Sequence, residues 1–225
     1  QGLTAKLDAA LEIIAAGRPR LETNLIIPAS LGPDTPATLY VEYANTGEVS
    51  MPAPLLILGP QEPEGPNRPL LSLDRTLVTS GAWSAGMPEG FSHSVQFLAV
   101  GANPGFLQPG EFRRIPIYYV GIVDLDWNNL HIGFRLGVLT ADDATPVDWA
   151  SLKADMRPSY VCEEAWDVVW ANFTAQVGGT WGDYLAMLSR NAVYLDRQGQ
   201  RVQDITRLLA LAFRQADALS PVPIL

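Results

Sequence analysis

Residues 39–47 constrain the fold more than any other stretch, because they alternate between two faces. Leu39, Val41 and Tyr43 share one face, with Glu42 on the other, which is the two-residue period of a half-buried strand. Asn-Thr-Gly follows and favours a turn, since Gly47 can adopt positive φ. The stretch therefore predicts a strand with one face against a core.

A second strand pattern follows the turn sequence Leu107-Gln108-Pro109-Gly110-Glu111. The Pro-Gly pair predicts a tight turn that leads into a strand at residues 112–120. We interpret this strand and residues 39–47 as core strands of one β-sandwich.

Further strands are predicted on both sides of this pair, and Pro- and Gly-rich loops separate them. They lie at residues 20–28, 51–59, 92–100 and 131–139, with weaker patterns at 70–73 and 76–78. Strands joined by turns, with no helix between them, indicate an antiparallel sandwich rather than an α/β fold.

Helical periodicity marks the two ends of the chain. Apolar stripes predict a helix at residues 3–16 and three helices after Glu163, and a connector at 148–158 contains a helical turn at 149–155. Thr180 and Asp183 match a capping box with a shorter acid. We therefore predict a mainly β plus α fold, an Ig-like antiparallel β-sandwich followed by a small C-terminal helical bundle. The predicted units are an N-terminal helix (1–19), the sandwich (20–147), and the connector with a three-helix bundle (148–225).

Two of these features together resemble the CARDB/NEW3 group of bacterial Ig-like domains. A strand at residues 41–47 runs into Asn-Thr-Gly, and a Leu-x-Pro-Gly-Glu turn at 107–111 precedes the penultimate strands. The resemblance covers roughly residues 20–140, with residues 60–69 and 83–90 as insertions between the motifs. It implies an Ig-like domain of a surface or secreted multidomain protein, in which such modules act as spacers, adhesive units or accessory domains beside enzymes. It brings no catalytic residues.

The charge of the chain disfavours polyanionic partners. The formal net charge is -9 and the pI is about 4.6, with no basic cluster, so we expect no nucleic acid partner. No apolar run approaches the roughly 20 residues of a membrane-spanning helix, so we expect no membrane insertion. The sequence begins with Gln1 rather than Met, which suggests a piece of a longer protein.

One loop carries the start of a calcium-binding pattern. Residues 124–128 read DLDWN, with oxygen ligands on alternate residues as calcium prefers. The candidate ligands are Asp124, Asp126 and Asn128. The rest departs from an EF-hand, since Asn129 replaces the required Gly and Arg135 replaces the bidentate acid. The simpler interpretation is a solvated acidic loop, and the alternative is a calcium site of another type, joined by Asp142 or Asp143.

The sequence lacks the usual catalytic signatures. His93 and His131 fall in predicted strands, and the serines beside His93 point to the opposite face, away from its imidazole. Cys162 is the single cysteine and has no flanking sequence typical of a thiol nucleophile. No metal-binding, phosphate-loop or nucleophile-elbow motif occurs. We therefore expect no catalytic residues, no enzymatic activity and no cofactor, with calcium as the alternative.

The tryptophans divide into two groups. Trp166, Trp170 and Trp181 lie on apolar helical stripes, which indicates core packing. Trp83 and Trp127 lie in polar loops and are candidate ligand-binding residues, because an exposed indole can stack on a sugar ring.

The leading hypothesis is a non-catalytic structural or adhesive module, a fragment of a larger bacterial secreted or cell-surface protein. It predicts an extracellular or cell-surface location. The expected partners are neighbouring domains of the same polypeptide, with a glycan or a protein as a further candidate ligand. The alternative is a glycan- or calcium-binding accessory domain of a multidomain extracellular protein. An enzyme ranks third, since a carboxylate pair could hydrolyse glycosides but nothing singles out two of the 24 acids.

Overall fold

The computed structural model describes residues 17–78, 87–129, 131–200 and 204–220. Within these ranges the chain forms nine β-strands, arranged in sheets whose paired strands are all antiparallel, and four α-helices that follow the last strand. The protein therefore has an α+β fold built on antiparallel sheets. The helix predicted at residues 3–16 lies outside the described residues.

The strands alternate with turns, as their spacing predicted. They are β1 (Leu21–Ile26), β2 (Ala37–Asn45), β3 (Met51–Pro52), β4 (Leu55–Pro60), β5 (Arg68–Ser72), β6 (Val95–Leu98), β7 (Phe106–Leu107), β8 (Phe112–Val123) and β9 (Phe134–Leu139). One sheet has the strand order β1-β2-β8-β5, a second has the order β6-β4-β9, and β3 pairs with β7.

Strand β2 is the alternating strand predicted at residues 39–47. Leu39, Val41 and Tyr43 are fully or almost fully buried, and β2 pairs along its length with β8. These side chains pack in one apolar cluster with residues from the three-stranded sheet, including Leu56, Leu58 and Phe97. Residues of the two larger sheets therefore share one core.

Strand β4 is buried on both faces. Its residues Leu56 and Leu58 belong to the core between the sheets, whereas Leu55 and Ile57 contact the apolar cluster of the helices. The sequence of a strand that is covered on both faces is a continuous apolar run rather than an alternation of apolar and polar residues. This explains the LLIL sequence at residues 55–58. Strand β4 therefore joins the sheet core to the helix core.

The helices are α1 (Trp149–Asp155), α2 (Glu163–Val177), α3 (Trp181–Arg197) and α4 (Ile205–Asp217). Both hydrogen bonds of the capping box between Thr180 and Asp183 are present. The predicted interior tryptophans Trp166 and Trp170 are buried, and the Trp166 indole donates to the Lys153 carbonyl over 2.8 Å. In the described part of the chain, no helix is long and apolar enough to cross a bilayer.

Two local predictions are wrong. Residues 75–77 form a 3-10 turn instead of a strand, because the Asp74 carboxylate accepts the Thr76 N–H and starts a helical turn. The strand predicted at residues 51–59 is divided into β3 and β4 at Ala53 and Pro54. Pro54 has no N–H for a sheet ladder, and the chain changes partner there, from β7 to β6 and β9.

Candidate functional site

The two turn motifs of the sequence meet in the structure. The Asn45 side chain is buried, and its Nδ2 donates to the carbonyls of Val49, over 2.8 Å, and Leu107, over 3.1 Å. Its Oδ1 accepts the backbone N–H groups of Arg20 and Gly47. One amide therefore holds together three chain segments, two of which are 62 residues apart in sequence. We call this hydrogen-bonded junction the Asn45 corner.

Backbone hydrogen bonds complete the Asn45 corner. The Asn45 N–H donates to the Glu111 carbonyl, over 3.1 Å, and the Gly110 N–H donates to the Asn45 carbonyl, over 2.8 Å. Gly110 has a φ of 75°, a conformation that Gly adopts without strain. The Asn-Thr-Gly and Leu-x-Pro-Gly-Glu motifs are therefore two halves of one structural junction.

Glu111 uses its carboxylate within the same turn. The side chain accepts the backbone N–H groups of Ala102 and Gln108, each over 2.7 Å. Burial acts to raise the pKa of Glu111, but these hydrogen bonds and the nearby charge of Arg113 outweigh burial, so the pKa lies below its ordinary value of 4.5. The carboxylate therefore stabilises a loop and is committed to backbone partners.

The lowered pKa of Glu111 predicts an acid-sensitive contribution to stability. A group whose pKa is depressed by folding stabilises the native state fully above its unfolded pKa, and this stabilisation is lost as pH falls through the folded pKa. We expect the difference in melting temperature between the wild type and Glu111→Gln to narrow as pH falls below 4.5. Thermal melts across this pH range measure it. Other carboxylates titrate in both proteins alike. Parallel curves of melting temperature against pH for the two proteins would therefore contradict a stabilising role of the Glu111 carboxylate.

A second polar centre organises the loop that follows β8. Asn67 is only 2% exposed and has a φ of 63°. Its Nδ2 donates to the carbonyls of Asn129 and His131, while its Oδ1 accepts the Asp126 N–H over 2.8 Å. Its own N–H donates to the Asp124 carbonyl, over 3.2 Å. Asn67 therefore holds residues 124–129 and His131 in place from a neighbouring loop.

The structure brings the three calcium candidates into one loop but gives two of them protein partners. Asp124 forms an ion pair with Arg68. The Oδ1 of Asp126 accepts the Asn128 N–H over 2.9 Å, closing a short turn. Within the described ranges, no group of three or more His, Cys, Asp or Glu side chains could hold a metal ion. Calcium binding by Asp124, Asp126 and Asn128 stays a prediction.

Trp127 lies at the outer side of this loop with 76% of its surface exposed. The other loop candidate, Trp83, lies outside the described residues. The remaining candidate groups lie on other elements. The His93 ring Nδ1 lies 3.0 Å from the Pro69 carbonyl, and Cys162 is exposed at the start of α2.

Two clefts border these elements. The larger, about 480 Å³, lies between β5, the segment before β6 and the start of α4, where Asp74 and Asp204 both serve as helix caps. The second, about 320 Å³, lies against the Trp127 loop, and the residues that line it come from 60–67 and 129–133. Its polar lining groups are Gln61, Glu62, Asn67, Asn129 and His131.

Sequence reasoning missed Asn67, which organises the candidate site. It lies in a Pro-rich loop, and Asn tolerates the left-handed conformation it adopts better than most residues. That preference predicts a turn there, but no sequence signal links Asn67 to residues more than fifty positions away.

No protein-family model matches this sequence, and no curated protein matches it. One solved structure that matches is described as AvmM, which catalyses macrocyclization in alchivemycin A biosynthesis. The match covers 53% of this chain and 87% of that one, with 12% identity and a TM-score of 0.27. A likeness this weak carries no argument about fold or function.

Proposed function

We propose that this chain is a non-catalytic structural module of a larger secreted or cell-surface polypeptide, in which an Ig-like β-sandwich and a C-terminal helical bundle act as one body. The observation that carries the proposal is the double burial of β4, whose Leu55 contacts the helix core and whose Leu56 contacts the sheet core. A spacer gains from such a shared layer, because the two parts cannot separate without exposing apolar surface.

The buried polar side chains support the same role. Asn45 and Asn67 direct their amides to backbone groups of distant segments. In the helical part, the buried Asn191 amide donates to the Leu208 carbonyl over 3.0 Å, and the half-buried Asn172 donates to the Ala216 carbonyl over 3.1 Å. These four asparagines link separate elements, and rigidity is what a spacer requires.

Single-molecule pulling between the two termini tests the proposal mechanically. We expect residues 17–220 to unfold in one step and to release roughly 700 Å of chain at about 3.5 Å per residue. Flanking reference domains of known length calibrate the trace. Two steps, with the helices released at a separate force, would contradict a single structural body.

The cellular part of the proposal has its own test. Antibodies against this module should label intact cells of the source organism or its secreted fraction, and they should detect a polypeptide larger than 24.4 kDa. A band of about that mass, confined to the cell interior, would overturn the proposal.

A further inference from the structure

The Trp127 loop presents a large aromatic group on a backbone that is hydrogen-bonded to Asn67. The indole is 76% exposed, although burying such a side chain is ordinarily favourable. Asn67 binds backbone groups on both sides of it, at Asp126 and at Asn129. The Asn129 N–H also donates to the Asp126 carbonyl, over 3.1 Å. A loop backbone that is already fixed loses little conformational entropy when the loop binds a ligand.

The cleft beside this loop has suitable size and chemistry for a ligand. Its volume of about 320 Å³ falls within the range of about 300–1,000 Å³ that is usual for ligand clefts. Gln61 has an amide side chain that offers both donors and acceptors, and Asn129 offers amide N–H donors while its Oδ1 accepts the His131 N–H over 3.4 Å. Glu62 offers acceptors and His131 an imidazole. Pro60 and Pro66 add apolar surface. Mixed donors and acceptors with apolar patches match a ligand that carries both hydroxyl and C–H groups.

The charge of the cleft disfavours an anionic ligand. Among its described lining residues, Glu62 carries the formal charge and no Lys or Arg is present. The nearby cation Arg68 is paired with Asp124. The whole chain carries a net charge of -9, so phosphates and acidic sugars are repelled.

We propose that the cleft lined by Gln61, Glu62, Asn129 and His131, and the exposed Trp127 indole two residues before Asn129 in the same loop, bind different rings of one neutral oligosaccharide. One sugar ring stacks its C–H face on the indole, and the amide, carboxylate and imidazole groups bind hydroxyls of the adjoining rings. Binding is direct and requires no metal ion. This activity goes beyond the structural role, which does not depend on it.

The test is titration calorimetry of the whole chain with cellohexaose, xylohexaose, maltohexaose and chitohexaose, in EDTA and in calcium. We expect at least one of these sugars to bind equally in both buffers. Trp127→Ala should weaken that binding at least about tenfold, and Trp127→Phe should retain part of it. Tyr160→Ala is the matched control, because Tyr160 is 79% exposed and lies in the connector between α1 and α2, and it should bind as the wild type does.

The variants should fold normally, since the Trp127 ring contributes little to the core, and unchanged melting temperatures verify this. Gln61→Ala should also weaken binding of the same sugar. This result would show that the cleft contributes to binding in addition to stacking on Trp127. The proposal is overturned if none of the four sugars binds, if Trp127→Ala binds as well as the wild type, or if binding requires calcium.

Discussion

Asn45→Ala is expected to lower the free energy of unfolding by about 3–5 kcal/mol, since each unsatisfied buried group costs about 1–3 kcal/mol. The substitution removes the donor to the Val49 and Leu107 carbonyls and the acceptor for the Arg20 and Gly47 N–H groups. The methyl group of alanine cannot form a hydrogen bond with any of these four backbone groups. Equilibrium urea denaturation, followed by circular dichroism, measures the loss.

Two further variants test the reason for this effect. Asn24→Ala removes an exposed amide that contacts Glu42 on the outside of the same sheet, and it should cost less than about 1 kcal/mol. Asn45→Asp keeps the shape but points an oxygen at two carbonyls, so the pKa of the new carboxyl should be raised in the folded protein. Its stability should therefore improve relative to the wild type as pH falls. A cost for Asn45→Ala as small as that for Asn24→Ala would contradict the role of the Asn45 corner.

Leu55→Ala is expected to cost about 2–5 kcal/mol, the usual range for a fully buried leucine, and to destabilise strands and helices together. Leu55 is fully buried and pairs with Leu98 and Leu139 in its sheet while contacting the helix core. The same loss of unfolding free energy should be measured by tryptophan fluorescence, which reports mainly on the helices, and by hydrogen exchange at the β2 and β8 amides.

The neighbouring side chain provides the comparison. Leu56→Ala makes the same chemical change on the opposite face of β4, in the core between the sheets, and should also shift both probes together. Val138→Ala, at a position on β9 that is 38% exposed, should cost less than about 1 kcal/mol. If Leu55→Ala shifts only the fluorescence transition, the helices unfold independently and β4 does not couple the two cores.

Much of the secondary structure could be predicted from the sequence because its signals are local. The alternation of β2 and the bounds of α1 and α2 follow from side-chain period, and the start of α3 follows from the capping box of Thr180 and Asp183. The two errors also have local causes. At residues 75–77 the helix cap of Asp74 outweighed an apolar pattern, and at Pro54 the missing N–H did so.

The candidate site depended much more on tertiary structure. The sequence placed Trp127 in a polar loop and grouped Asp124 with Asp126, but it could not show that Arg68 pairs with Asp124 or that Asn67 supports the loop. These partners lie more than fifty residues from the loop in the chain, and periodicity carries no information over that distance.

The sequence by itself determined most of the segments that form strands and helices, and which face of each is apolar, since backbone geometry sets those periods residue by residue. Only the tertiary structure decided that the two turn motifs meet at Asn45, that both faces of β4 are covered, and that Trp127 remains exposed in a loop whose Asn129 lines a polar cleft. Those features arise from how sheets and helices pack across long separations in the chain, where many local patterns are compatible with more than one arrangement.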